Sequence, residues 1–582
     1  MYEDFLLQVN KPGRYIGREW NVSKKDFDKS YIKFALCFPD LYEIGMSNLG
    51  VRIIYGVLNS IDDICCERFF SADTDMAALL ADKGLKLFSL ESRKVLAEFD
   101  IAGFCLSSEL NYTNVLGILD QSGIPFKAKE RSNEFPLIIG GGPCTMNPEP
   151  MYEFFDLFII GEAEEAIVEL INIYREFKDE YKSSRMNKQE LLRKFCRIEG
   201  VYVPSFYNVI YDALGRLECF EPVNEDAPFK IKKIFVKDLN ASFFPKKWLI
   251  PYIQIVHDRL SLEVMRGCPN RCRFCQARVQ YFPFRKKDKK TILGLAEDLY
   301  AHTGYEEVSL LGLSVSDYPD IEELTQGLVD LLKGKAVSVS LPSIKAKLLV
   351  GRLSSLISKI KKTSLTFAPE AGSKKLRDII AKDFNEEEFF RVIEEAYSLG
   401  YLHVKLYFML GFPFERKEDL DAIIEMAEKV SILRKKLNKS AARVNISINT
   451  LIPKPHTALQ WFKMEDLESI KEKQDYLKKK AKNRKLFLKF HDLKMSFLEA
   501  VLCLGDRRLS EVILCAYKRG ARFDAWENRF EFEKWTEAFK ETGIDPHFYL
   551  REKERQELFP WDFIDTGITK KALLSEFDDN IP

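Results

Sequence analysis

Histidine is scarce in this chain: there are six in 582 residues, and none comes before His257. Imidazole is the commonest neutral metal ligand, so this inventory excludes a histidine-ligated metal from the whole first part of the sequence. Net charge is missing as well. The 88 basic and 88 acidic side chains cancel, so no global field draws the protein to nucleic acid, and any basic surface is local. No apolar run reaches the roughly 20 residues needed to span a bilayer. The start, Met1 to Trp20, has neither the basic n-region nor the continuous apolar core of a signal peptide. A soluble, cytoplasmic protein is expected, with no membrane partner. The 12 cysteines are few for a disulfide scaffold, and in a reducing compartment most should be thiols. Core-forming residues are plentiful, at 46% hydrophobic and 13% aromatic, which argues against disorder. This length suggests two or three domains.

Nine cysteines are scattered (Cys37, Cys65, Cys66, Cys105, Cys144, Cys196, Cys219, Cys503, Cys515) and read as buried thiols. The other three form the C-x-x-x-C-x-x-C pattern Cys268, Cys272, Cys275, directly after the apolar run Leu262 to Met265, so they leave a strand end on a tight loop. A fully ligated iron-sulfur cubane takes a thiolate on each of four irons. Three cysteines without a fourth leave one iron open, and an open position marks a catalytic site. A zinc knuckle would want a fourth ligand at short spacing, and the nearby candidate, His257, lies on the other side of the strand run. The motif resembles that of the radical SAM enzymes. The resemblance implies that Cys268, Cys272 and Cys275 hold a 4Fe-4S cluster whose open iron binds S-adenosylmethionine. An electron from the cluster would then cleave the sulfonium to a 5'-deoxyadenosyl radical.

From residue 31 to about 180, short apolar runs alternate with helical patterns. Ile32 to Cys37, Ile64 to Phe69, Ile101 to Leu106, Pro136 to Ile139 and Leu157 to Ile160 read as buried parallel strands. The alternation predicts an α/β, doubly wound (Rossmann-like) sheet that binds ligands at its carboxyl edge. At that edge stand Asp40-Leu41-Tyr42-Glu43-Ile44-Gly45, Ser107-Ser108-Glu109-Leu110 and Gly140-Gly141-Gly142. These places, with Asp156 to Glu164, resemble cobalamin-binding domains. The resemblance implies cofactor contacts at Asp40, Gly45, Ser108 and Gly141. The residue matching the cobalt-ligating histidine is Tyr42, which leaves cobalamin bound without a protein histidine, or a pocket emptied or given to another ligand. The plain alternative is that these glycines only make tight turns.

Residues 181–258 read as a connector with small strands, and residues 259–496 as a second βα series. Its candidate strands are Leu262 to Met265, Val308 to Leu311, Val337 to Leu341, Ser364 to Phe367, His403 to Met409 and Val444 to Ile448. Six units suit a partial (β/α)6 barrel, whose function sits at the carboxyl ends of its strands. By resemblance to radical SAM barrels, Gly312 and Ser314 after the second strand and Glu370 after the fourth contact S-adenosylmethionine, and Phe274 packs near the adenine. Later strand ends give Gly411-Phe412-Pro413 with Glu415, then Asn449, Pro453-Lys454-Pro455-His456-Thr457 and Trp461. Plainer readings pair Glu370 with Lys374 across a helix turn and make His456 a satisfied loop residue.

Residues 497–582 read as a helical carboxyl-terminal extension that caps the barrel mouth. Basic residues crowd the cysteine loop (Arg266, Arg271, Arg273, Arg278, Arg285, Lys286, Lys287, Lys289, Lys290). They could track a phosphate backbone or hold the substrate or the SAM carboxylate. Lys471 to Lys489 reads as a Lys-rich helical run. Together with LQVNKPGRYIGREW at Leu7 to Trp20, Phe38 to Gly50, and Arg507 to Trp526, the motifs resemble a family of radical SAM proteins with an amino-terminal cobalamin-binding-like domain. The resemblance implies hydrogen abstraction from an unidentified substrate, RNA or protein, with an electron donor such as flavodoxin or ferredoxin. Methyl transfer follows if cobalamin is present. A methylthiotransferase-like enzyme is the alternative, and a non-catalytic iron-sulfur or zinc protein that senses redox state or binds RNA is the alternative of another class.

Overall fold

The structure, a computed structural model, describes residues 3–340, 365–437 and 440–578. The run Ile64–Phe70 is buried at every position, as a strand covered on both faces must be. It is β2 of a six-stranded sheet with β1 (Ile32–Phe38), β3 (Ile101–Cys105), β4 (Leu137–Gly141), β5 (Leu157–Ile159) and β6 (Val201–Tyr202). The order is β2-β1-β3-β4-β5-β6. The first five strands are parallel and β6 is antiparallel. The winding reverses between β1 and β3, and this switch point is where doubly wound sheets bind ligands.

The connector supplies β6, the hairpin β7 (Tyr207–Tyr211) and β8 (Leu217–Pro222), and β9 (Ile231–Lys232), which pairs with Ile564–Asp565 near the end of the chain. The second βα series follows. β10 (Leu260–Glu263) leads into a short antiparallel pair, β11 (Met265–Arg266) with β12 (Arg285–Lys286). β13 (Glu307–Leu311) and β14 (Ser338–Ser340) complete a parallel sheet with β10. β15 (Leu365–Glu370), β16 (His403–Leu410), β17 (Arg443–Thr450) and β18 (Leu486–Phe490) form a second parallel sheet. The expected strand ends Leu341 and Ser364 lie outside the described residues.

β18 corrects one expectation. The lysine-rich helix stops at Lys480, and Leu486 to Phe490 pair in parallel with Val444 to Ile448 as a further strand. Lysines on both sides of the break hid the short apolar alternation Leu486, Leu488, Phe490, and pairing with β17 overrides the local pattern.

The carboxyl-terminal segment also differs from a cap over the barrel. Trp535 and Trp561 are fully buried in the same core as Ile32 and Ile101. Tyr517 donates its hydroxyl to Asp120 at 2.7 Å, tying the helix Leu509–Lys518 to Tyr112–Gln121. The final helix, Lys570–Asp578, reaches the cysteine loop, where Glu576 meets Arg278 at 2.6 Å. Among the described residues no helix is long and apolar enough to cross a membrane.

Candidate functional site

The cysteine loop is launched by the β11/β12 pair and turned by Gly267. At φ +78° its backbone is left-handed, and a Cβ there would lie 2.7 Å from the Tyr281 carbonyl and 2.8 Å from the Phe284 Cα. Only glycine fits that turn. Cys268, Cys272 and Cys275 follow, all half-buried, and the Cys275 amide donates to the Cys272 carbonyl at 3.2 Å. Burial pushes the Cys272 thiol up to about 11. The Lys382 ammonium pulls it down, while Cys275 and Cys268 add to the rise, so the three thiols are electrostatic neighbours. Among the described residues no three His, Cys, Asp or Glu side chains are drawn together as around a single ion. A cubane asks for less convergence, because each thiolate bonds a different iron, and the donor set fits one with an open iron.

The loop is tied to the next strand end. Asn270 donates through its amide to Cys268 Sγ at 3.2 Å and to Asp317 Oδ2 at 2.8 Å. That carboxylate also accepts from Ser314 Oγ at 2.7 Å. The Ser314 hydroxyl is therefore engaged within the protein. A Cβ on Gly312 would meet Met265 Cγ at 2.6 Å, so this loop packs on the strand that delivers the cysteines. Asn270 and Asp317 were not singled out in the sequence; the C-x-x-x-C spacing hid the first between two more conspicuous residues.

Glu370 closes β15 at φ +69° beside a break in its register with β16. A bulky residue in that region carries about 1–3 kcal/mol of strain and concentrates at functional sites. Its carboxylate accepts from Lys382 at 3.3 Å, whereas Lys374 pairs with Asp378 at 2.6 Å, so the helix-turn pairing with Lys374 does not form. Burial raises the Glu370 carboxyl above the ordinary range and Lys382 partly offsets it. Phe274 packs with Ala371, Ile380, Phe412 and Leu451, which turns the cysteine loop toward the ends of β15, β16 and β17.

Three other strand-end residues serve packing. Glu415 is held by Lys473 at 2.7 Å and the Gly411 amide at 3.0 Å. Trp461 is fully buried. His456, 6% exposed, bonds the Met146 carbonyl through Nε2 at 2.9 Å, joining the barrel to the first sheet.

Much of the basic cluster is engaged within the protein. Arg266 pairs with Glu162 (2.9 Å), Glu164 (2.6 Å) and Glu263 (2.8 Å), and Arg285 pairs with Glu162 at 2.6 Å. Arg278 pairs with Glu576, Lys289 with Glu323, and Arg273 donates to backbone carbonyls of Asp378 and Ile379. Charges already compensated at close range carry little field outward.

The signature places of the first sheet part company. Asp40 accepts from the Trp526 indole at 2.9 Å and the Leu41 amide at 2.7 Å. A Cβ on Gly45 would sit 2.2 Å from the Phe70 ring, and Ser108 caps the Leu110 amide at 3.3 Å. Tyr42, 2% exposed, donates to Glu19 at 2.9 Å. Asp40, Gly45 and Ser108 thus all have contacts within the protein, and the segment around Trp526 reaches the end of β1 at the switch point. Gly141 differs, since a Cβ built there meets nothing within 4 Å. It faces a 440 Å³ cavity that runs from Phe34 and Gly103, under Ile53 and Ile167, to Gly267 and Gly312 beside the cysteine loop. That volume suits a drug-sized group or one arm of a larger one. Tyr42 does not line it.

The chain is similar to proteins of a known family. A family model described as the radical SAM superfamily matches residues 262–427, and one described as radical SAM proteins, N-terminal, matches residues 50–204. The uncharacterized protein MJ0966 of Methanocaldococcus jannaschii is 30% identical over 508 residues, covering 85% of this chain and 96% of that protein. A tRNA-2-methylthio-N(6)-dimethylallyladenosine synthase of Chlorobium phaeobacteroides is 26% identical over 29% of this chain and 39% of that enzyme. Among solved structures, the radical S-adenosylmethionine methyltransferase TsrM of Kitasatospora setae, with cobalamin and a 4Fe-4S cluster bound, aligns with a TM-score of 0.46 at 11% identity, over 72% of this chain and 74% of that one.

Proposed function

This chain belongs to the radical SAM superfamily, and on that premise we propose that Cys268, Cys272 and Cys275 hold its 4Fe-4S cluster and that the barrel's strand ends hold S-adenosylmethionine for hydrogen abstraction from a substrate. When bound, the cluster supplies the electron that splits the sulfonium into methionine and a 5'-deoxyadenosyl radical. The chain's own residues prepare the site. Gly267 makes the turn that presents the thiols, and the Asn270 amide steadies Cys268 by hydrogen bonding to its sulfur. Ser314, locked onto Asp317, sets the backbone of the Gly312 loop, and the Glu370 carboxylate would hold the ribose. Phe274, packed against Ala371, Ile380 and Phe412, would border the adenine and help to exclude water. One observation carries the reading: a single amide joins a cysteine sulfur to the loop after β13, linking the proposed metal and cofactor halves of the site. An electron donor such as flavodoxin or ferredoxin, in a reducing cytoplasm, fits a cluster with an open iron.

A second reading, methyl transfer assisted by cobalamin, is favoured by the glycine-edged cavity between Gly141 and the cysteine loop. Gly141 would border the group, and no histidine would ligate its cobalt. Sulfur insertion into RNA or protein is weakened by the first sheet's cysteines: Cys37, Cys65, Cys66 and Cys144 are buried in packing, Cys105 alone borders the cavity, and no C-x-x-C set occurs there.

The test is anaerobic reconstitution followed by metal analysis and a 5'-deoxyadenosine assay. Wild type should hold about four irons per chain and release 5'-deoxyadenosine under strong reductant, while Cys272→Ala should release none. Stoichiometric zinc instead of iron, or no 5'-deoxyadenosine from wild type, would overturn the reading. Cobalt on the same sample decides the second.

A further inference from the structure

A second cavity, of 1020 Å³, opens on the other side of the helix Leu49–Asn59. Ile53 and Ile54 of that helix border the cavity beside the cysteine loop, whereas Arg52, Tyr55 and Asn59 border this one. The helix therefore separates the two. The remaining walls come from the connector between Leu239 and Leu249 and from the helix Lys289–Thr303.

Its charge is one-sided. Arg52 is 5% exposed, and it donates through Nε to the Met46 carbonyl at 3.0 Å and through Nη1 to the Leu249 carbonyl at 2.9 Å. Both partners are neutral, and among the described residues no carboxylate pairs with this guanidinium. Burial presses its pKa below the ordinary value, and the Tyr305 hydroxyl offsets only part of that. Arginine is almost never fully buried unless paired, because a buried charge without a counter-charge is costly. Lys247 of the connector and Lys290 of the helix Lys289–Thr303 are exposed on the same cavity and make no ion pair among the described residues. The acid on the wall, Asp298, is taken by Lys246 at 2.8 Å. Lys287 is held by the Leu239 carbonyl at 2.7 Å and lies 3.8 Å from Glu263. Arg52, Lys247 and Lys290 are thus left without a counter-ion. An independent observation points the same way: Trp248 is 3% exposed, and its indole Nε1 has no hydrogen-bond partner among the described residues. Buried donors nearly always have one, so this one marks a place for a ligand acceptor. The Trp248 ring lies 4.5 Å from the Arg52 guanidinium, which puts the unpaired donor beside the unpaired cation. Size and shape narrow the ligand. The volume is at the upper end of the roughly 300–1,000 Å³ of small-molecule sites, and Phe243, 36% exposed, offers a flat apolar wall.

We propose that this cavity is a second ligand site that binds a nucleoside phosphate, with the phosphate among Arg52, Lys247 and Lys290, the Trp248 indole donating to it, and the base against Phe243. The anion supplies the counter-charge that the wall lacks. The site is separate from the cysteine loop, and nothing in it depends on the radical chemistry.

The experiment is anaerobic calorimetry on the reconstituted holoenzyme, without reductant and with S-adenosylmethionine at saturation so that its own site stays filled. The probes are UMP, uridine and inorganic phosphate. UMP should bind at least about tenfold more tightly than either of the others. Lys247→Glu and Lys290→Glu, both at exposed positions, should each weaken UMP by about tenfold or more, the size of one lost hydrogen bond to a charged group. Release of 5'-deoxyadenosine should stay at the wild-type level in both. Arg52→Gln should bind UMP at least about tenfold more weakly; if it does not fold, the lysine variants decide on their own. Absence of UMP binding, uridine bound as tightly as UMP, or UMP binding unchanged in both lysine variants overturns the proposal. Inorganic phosphate bound as tightly as UMP overturns it too, by reducing the site to a bare anion hole.

Discussion

Trp526 donates its indole N–H to Oδ1 of Asp40 at 2.9 Å across 486 positions of the chain. The aspartate closes the switch point of the first sheet, and the tryptophan comes from the carboxyl-terminal segment. The same segment offers the Phe523 amide to Asn114 at 2.8 Å and Asp524 to Thr113 at 2.6 Å. The chain itself thereby reaches the switch point, and the carboxyl-terminal segment shares the first sheet's core. Trp526→Phe keeps the ring and removes the donor. Breaking a buried hydrogen bond to a charged acceptor costs about 1–3 kcal/mol, so the melting temperature should fall by a few degrees. No change in the melting temperature would show that the bond contributes nothing.

Tyr42 stands where a cobalt-ligating histidine is expected, and its surroundings explain why restoring the histidine should fail. The ring packs edge-on to Phe70, and the hydroxyl donates to Glu19, which Arg68 holds at 2.7 Å. None of these atoms faces the cavity beside Gly141. Tyr42→His should therefore lower stability, by leaving Glu19 short of a partner, without creating a cobalt ligand. In protein loaded with cobalamin, electron paramagnetic resonance of Co(II) should show no added nitrogen coupling. A histidine coupling in the variant would mean that the first sheet rearranges to present residue 42.

Much of this fold is legible in the sequence because the strands of the first sheet are mostly apolar, interrupted only at Lys33, Glu67 and Arg68 in β1 and β2, and two-sided burial asks for that pattern. Cys268, Cys272 and Cys275 are equally legible, since their spacing matches a known motif. β18 is not, because lysines at Lys479, Lys480, Lys482, Lys485 and Lys489 extend the appearance of a solvated helix across a strand whose partner lies 42 residues away. The roles of Asp40 and His456 are hidden for the same reason: their partners, Trp526 and Met146, are distant in sequence and unremarkable in type. Lys382 carries no sequence signal at all, and only folding brings it to Glu370 and the thiols.

Glu370 opposes stability to binding. Its left-handed backbone at φ +69° is strained, and glycine would relieve about 1 kcal/mol or more. The one hydrogen bond lost, to Lys382 at 3.3 Å, is long. Glu370→Gly should leave the melting temperature unchanged or slightly raised. Affinity for S-adenosylmethionine should fall by about tenfold or more, the loss of one charge-assisted hydrogen bond. Equilibrium binding to reconstituted protein and a thermal melt measure the two effects. A variant that melts lower yet binds normally would make Glu370 a structural residue.

His456 makes the junction between barrel and first sheet sensitive to acid. Its Nε2 lies 2.9 Å from the Met146 carbonyl, which can only accept, so the neutral ring carries its proton on Nε2. Burial, with the positive charges of Lys230, Lys233 and Lys570 nearby, lowers its pKa from 6.5 to about 4, against the favourable bond to Met146. Between these two values the unfolded chain binds a proton that the folded chain refuses, so stability falls as pH drops through that window. The full loss is about 3 kcal/mol, reached near pH 4, and nothing is lost above pH 6.5. His456→Gln keeps an N–H for Met146 and removes the titration. Urea unfolding midpoints of wild type and variant should move together from pH 8 to pH 7 and separate below pH 6.5, with the wild type weakening faster. By pH 5 the gap should reach about 2 kcal/mol. Parallel midpoints down to pH 5 would mean that the histidine is already protonated in the folded protein, or that water reaches it at the junction.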